Sequence, residues 1–128
     1  MKYFVLFLCI CFSSCSSLSR DKCNENIRFR KVFFEKVIFI EKYVLRQEEA
    51  RNYANSADFN WDKLSNDFKG GRENFLKFKK ALFFLGQHVT ISSLIFGYSI
   101  QYPSAEIFFQ DKEKWLKWYE ENKCKNIH

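Results

Sequence analysis

The sequence predicts an all-α fold, one small domain of three to four helices behind a cleaved N-terminal segment. Three patterns carry that prediction. Across residues 27–57, Phe29, Val32, Phe33, Val37, Ile40 and Val44 recur in steps of three and four, the spacing of a single helix face. Across residues 72–86, Phe75, Phe78, Leu82 and Leu85 repeat with the same rhythm while Lys77, Lys79 and Lys80 take the other side. Near the end, Trp115, Trp118 and Tyr119 lie at i, i+3 and i+4, so one helix face carries all three rings.

The chain begins with the layout of a secretory signal. Lys2 and the terminal amine give a positive start, residues 3–12 form an unbroken apolar run, and Ser13 and Ser14 supply small residues before Cys15. As a helix the apolar run reaches about 15 Å, half of a hydrocarbon core of about 30 Å. A permanent span would have to run on to Leu18 through Ser13, Ser14, Cys15, Ser16 and Ser17, and it is the lesser reading. The block Ser13-Ser14-Cys15 resembles the signal of bacterial lipoproteins, in which a cysteine after small residues is lipidated and becomes the first residue. Cys9 and Cys11 do not fit, because Leu8 and Ile10 precede them, and Phe12 departs from the aliphatic residue usual at its place. The resemblance implies palmitate-type acylation at Cys15 and a membrane partner reached through that acyl anchor. It implies attachment on the periplasmic side, on the inner or the outer membrane. Ordinary cleavage near Ser16 or Ser19, giving a soluble secreted chain, is the competing processing route. The domain plan is therefore residues 1–14 as signal, 15–26 as tether and 27–128 as one helical domain.

The polar stretch 16–26 has no periodicity and reads as the tether. In residues 27–57 the β-branched and aromatic content would also suit strands. Yet no Gly, Pro or Asn-Gly interrupts the run where a hairpin would turn, so helix is the better reading. Residues 55–71 form a hinge. Asp58, Asn60 and Asp62 are turn or cap residues, Trp61, Leu64 and Phe68 suit a short helix, and Gly70-Gly71 ends it. Gly86 stands where a left-handed cap would close the next helix. Residues 87–103 lose the helical period, and 88–91 suit a short extended piece. The last helix starts at Ser104 or Asp111, with Asp111 the better cap by side chain. Its end, D-x-x-x-W-x-x-W-Y-E-E-N-K over residues 111–123, resembles the tails of small bacterial helical proteins. That likeness implies helix and transfers no chemistry.

The formal net charge is +6. Export makes nucleic acid an improbable partner for such a basic chain, so no nucleic acid is expected. Anionic lipid headgroups or acidic envelope polymers fit the charge better. Intermixed acids and bases also read as an ordinary solvated surface. With Cys9 and Cys11 lost and Cys15 acylated, Cys23 and Cys124 remain, an even pair that reads either as a disulfide in an oxidising compartment or as two free thiols.

No pattern of catalysis stands out. His88 and His128 lack metal-ligand spacing, so no metal or other cofactor is expected. A composite site of Cys23, Cys124 and His128 is the one metal arrangement the residues allow. His88 has Thr90, Ser92 and Ser93 nearby but no nucleophile elbow. Glu48-Glu49 and Glu120-Glu121 are adjacent pairs whose side chains diverge on a helix. Trp61, Trp115, Trp118 and Tyr119 suit either a binding platform or a core. The expectation is a lipid-anchored envelope protein with a non-catalytic binding or assembly role and an envelope protein as partner. The alternatives are an inhibitor or immunity-type protein, or a small hydrolase using His88.

Overall fold

The computed structural model describes residues 23–67, 71–91, 95–96, 100–125 and 127. α1 (Ile27–Ala54) is the longest element, 28 residues, and its buried stripe is Phe29, Phe33, Val37, Ile40 and Val44. α2 (Trp61–Asp67) is a two-turn helix, and α3 (Gly71–Gly86) buries Phe78, Ala81, Leu82 and Leu85. A small antiparallel ladder follows, β1 (Ile95–Phe96) and β2 (Ile100–Gln101), with Ile95 opposite Gln101 and Phe96 opposite Ile100. α4 (Ala105–Asn122) closes the domain and buries Phe108, Asp111, Trp115 and Tyr119. The domain is all-α, as its hydrophobic periods predict.

α3 and α4 both pack on α1, and both run antiparallel to it. The start of α1 meets the end of α3, where Phe29 touches Phe84 and His88. Tyr43, further along α1, stacks on Phe78 with ring centroids 4.3 Å apart. The α1–α4 pair is joined at both ends. At one end, Cys23 and Cys124 form a disulfide with Cα atoms 4.7 Å apart. Beside it, Glu25 accepts from the Tyr119 hydroxyl, and Asn26 Nδ2 donates to the Ile127 carbonyl at 3.0 Å. Asn26 also caps α1, its Oδ1 accepting from Phe29 N–H at 3.0 Å. Residues 23–26, read from sequence as the end of the tether, are thus tied into the domain.

At the other end Arg51 spans the gap between α1 and the start of α4. It donates to the Pro103 carbonyl at 2.7 Å, to the Tyr102 carbonyl at 3.4 Å and to Glu48 at 2.8 Å. The same Glu48 oxygen accepts from Ala105 N–H at 3.2 Å, placing a carboxylate at the N-terminus of α4 where the helix dipole favours it.

Four local expectations need correction. Ser104, not Asp111, caps α4: its Oγ accepts from Ile107 N–H at 3.3 Å, and Asp111 lies inside the helix, fully buried. Asp111 instead accepts from the Tyr102 hydroxyl at 3.2 Å and Lys114 at 3.4 Å, because a buried carboxylate needs partners more than a helix start needs the stronger cap. α1 ends at Ala54 rather than continuing to Ala57, with Asn55 N–H bonded to the Arg51 carbonyl at 3.2 Å. Residues 87–89 form a turn, not an extended piece, as the N–H groups of Gln87, His88 and Val89 return to the carbonyls of Phe84 and Leu85. Gly86 is the last helical residue of α3, and its backbone is not left-handed, since those turn bonds already satisfy the carbonyls.

Two outcomes follow from this packing. A methyl group at Gly86 would meet only Ile91 Cδ1, at 3.5 Å, so Gly86→Ala should raise stability by about 0.4–1 kcal/mol in urea titration. The bridge closes 101 residues of sequence separation, so Cys23→Ser with Cys124→Ser should cost about 2–5 kcal/mol by the same measurement.

Candidate functional site

The four aromatics suggested by sequence do not form one surface. Trp115 and Tyr119 are core residues. Trp115 packs its ring on Phe108, and its indole N–H donates to the Thr90 carbonyl at 3.3 Å. Trp118 is half-buried against Phe29, Phe33 and His88. Trp61 stands apart, 74% exposed, in a satellite cluster with Phe59 and Tyr53. No ring contact among the described residues joins it to the other three. A domain with so few helices needs its large rings to bury enough area, and the core takes them.

His88 sits among the rings of Phe29, Phe84 and Trp118, with centroids 5.1, 5.3 and 5.4 Å away. Desolvation in this setting pushes the imidazole below its usual titration range. The ring fills a packing position, and no carboxylate or hydroxyl among the described residues bonds to it. Thr90 contributes its carbonyl to Trp115. Among the described residues no group of three or more His, Cys, Asp or Glu side chains could hold a metal ion. Cys23 and Cys124 are joined to each other, and Cys15, Ser92, Ser93 and His128 lie outside the described residues.

The residues that do come together with binding character line a groove between α1 and α3. Its volume is about 450 Å³, within the range of small-ligand sites. From α1 come Phe39, Lys42, Tyr43, Arg46, Gln47 and Glu49, and from α3 Gly71 and Asn74. Helical spacing explains the set: Phe39, Tyr43 and Gln47 step by four along one flank of α1, and Lys42, Arg46 and Glu49 follow beside them. Phe39 stacks on Tyr43, which stacks on Phe78 of the core, so the apolar side of the groove is the Phe39 and Tyr43 rings with Leu45. Burial there pushes the Tyr43 phenol upward and keeps it protonated and able to donate. Gln47 Oε1 is buried and has no hydrogen-bond partner among the described residues. Lys42 and Arg46 make no ion pair among the described residues, so the groove presents two unpaired cations against the single acid Glu49. Such a lining has the chemistry to suit an amphipathic group bearing negative charge.

Sequence reasoning missed this groove and the Glu48–Arg51 clasp. The spacing of Glu48 and Arg51 at i, i+3 was a signal for the pair, but their tie to residues 102–105 depends on a contact from far along the chain. Glu48, read as solvated, caps a helix; Glu49 lines the groove. Comparison of the chain with protein-family models, curated proteins and solved structures gives no match.

The depressed imidazole gives a pH test. The unfolded chain takes up a proton at His88 as pH falls through about 6.5, before the folded chain does. The contribution is therefore present above that pH and lost as pH falls through the folded value. Urea midpoints between neutral pH and about pH 5 should fall for the wild type. His88→Phe should show a shallower fall.

Proposed function

We propose that this is an exported protein, anchored through acylated Cys15 to the periplasmic face of a membrane, where it acts by non-catalytic binding or assembly. One observation carries the reading: the Cys23–Cys124 disulfide that joins the two ends of the domain. Such a bridge forms and persists in oxidising compartments outside the cytoplasm. It agrees with the charged, apolar and small-residue order of positions 1–14 and with the placement of Cys15 after two serines. No helix among the described residues is long and apolar enough to cross a membrane, so attachment falls to the N-terminal segment in this reading. Two or more acyl chains on one cysteine would hold the domain stably, each buried methylene contributing about 0.8 kcal/mol. The groove between α1 and α3 supplies the binding function, with Lys42 and Arg46 at an aromatic wall suited to an acidic, partly apolar group on an envelope partner.

Intact mass of the protein purified from membranes, beside a Cys15→Ala variant, tests the reading. The expected species starts at Cys15, carries added acyl mass, and gains two protons on reduction. An unmodified chain beginning after residue 15, or one retaining residues 1–14, would overturn the anchor.

A further inference from the structure

α3 has two faces, and only one of them is used by the fold. The inner face, Phe78, Ala81, Leu82 and Leu85, is buried against α1. On the opposite side Leu76 is 47% exposed and Phe83 72% exposed. Arg72, Leu76, Lys79 and Phe83 step along the helix at i, i+4, i+7 and i+11, and Lys80 lies between Leu76 and Phe83 on the same side. The stripe is roughly 17 Å long at 1.5 Å per residue. No element among the described residues covers it.

Charge decides what could cover it. α3 carries four cations, Arg72, Lys77, Lys79 and Lys80, and one acid, Glu73. Glu73 is already paired with Lys77 at 2.6 Å, which holds its carboxyl below the usual range. Arg72, Lys79 and Lys80 have no ion pair among the described residues. Three unpaired cations thus surround two projecting apolar side chains. Two such side chains make a poor protein interface, which wants a contiguous apolar centre. They suit a bilayer surface well: apolar tips enter between headgroups while long basic side chains reach the phosphates.

Chain length places this face within reach. Resting on the anchor reading above, the eight residues from Cys15 to Cys23 span at most about 28 Å. The chain enters the domain at the end of the bundle where Phe29 meets Phe84 and His88, which is the C-terminal end of α3. A tether this short raises the effective concentration of the surface, so a weak contact is enough.

We propose that the outer face of α3, with Leu76 and Phe83 set among Arg72, Lys79 and Lys80, docks on anionic lipid headgroups of the membrane that holds the protein. Docking would lay α3 along the bilayer.

Lysine acetylation footprinting of the full chain on vesicles tests this, read by mass spectrometry at each lysine. Vesicles of phosphatidylcholine alone are compared with vesicles that also contain phosphatidylglycerol. Lys79 and Lys80 should react about five-fold more slowly on the anionic vesicles, the factor expected for one basic residue held at such a surface. Lys117, whose side chain is 78% exposed on α4, should react alike on both. Leu76→Ser with Phe83→Ser, both at exposed positions, should reduce the protection and leave the fold intact. Equal labelling of Lys79 and Lys80 on both lipids would overturn the proposal. So would protection on both lipids that disappears on dilution of the protein in the membrane, which would mark a second copy as the occupant. The mass of the same sample separates the two readings. An unacylated chain still protected at Lys79 and Lys80 keeps the face and removes the anchor, and an acylated chain without protection does the reverse.

Discussion

Everything in this domain leans on one apolar stripe of α1. Phe29, Phe33, Val37, Ile40 and Val44 are buried along a helix of 28 residues, and both α3 and α4 pack against it. Such a helix is about 42 Å long, and it is held mostly by packing of its apolar face rather than by propensity. Its stability comes from the two partners, and theirs comes from it, because contacts between α3 and α4 are few. An aromatic contact ties the turn after α3 to α4, His88 against Trp118. A fold with one shared support is sensitive at the ends of that support, where fraying would begin.

The ends are where the polar and covalent ties are found. At the start of α1 the disulfide, the Asn26 cap with its second bond to Ile127, and the Glu25–Tyr119 contact act within a few residues of each other. At the other end Glu48 and Arg51 hold residues 102–105. Between the two, Tyr102 and Asp111 lock the entry strand to the first turns of α4 at full burial, and this pins where α4 begins. Burial and the adjacent carboxylate both push the Tyr102 phenol well above its ordinary range, so it stays a donor at any physiological pH. A one-residue slip of α4 would turn Trp115 out of the core and Tyr119 away from α1 by about 100°. It would also separate Cys124 from Cys23. The clasp, the lock and the bridge therefore specify the same register three times.

How much of this could be read in the sequence follows from the range of each interaction. The helix faces were legible, because Phe29 to Val44 and Phe78 to Leu85 are spaced by local geometry alone. The start of α4 was not. Judged locally, Asp111 outranks Ser104 as a cap, and only the arrival of Tyr102 beside it reveals a buried acceptor. Gly86 misled for a related reason: turn bonds from Gln87 to Val89 satisfy the carbonyls that a left-handed glycine would otherwise serve. The aromatic platform dissolved because Trp115 and Tyr119 are buried in the core while Trp61 stands exposed at the start of α2. The groove was invisible in sequence because its two walls lie about thirty residues apart, Tyr43 and Gln47 on α1 and Asn74 on α3.

The same division of labour leaves apolar area and cations together on the flank and back of α3. The core has taken Trp115 with Phe29, Phe33, Phe78 and Phe108, while several large apolar side chains, Leu76 and Phe83 among them, stay outside it. Phe83 is exposed on the back of α3 and the Phe39–Tyr43 wall is half-buried at its flank, and each is accompanied by cations that make no ion pair among the described residues. An unpaired lysine beside an exposed phenylalanine contributes nothing to folding that a glutamine would not. Retaining charge and apolar area together at both places leaves α3 as the element where a negatively charged, partly apolar environment would be met. The helix that α1 holds in place by its inner face is then the one that addresses the surroundings with the rest of its circumference.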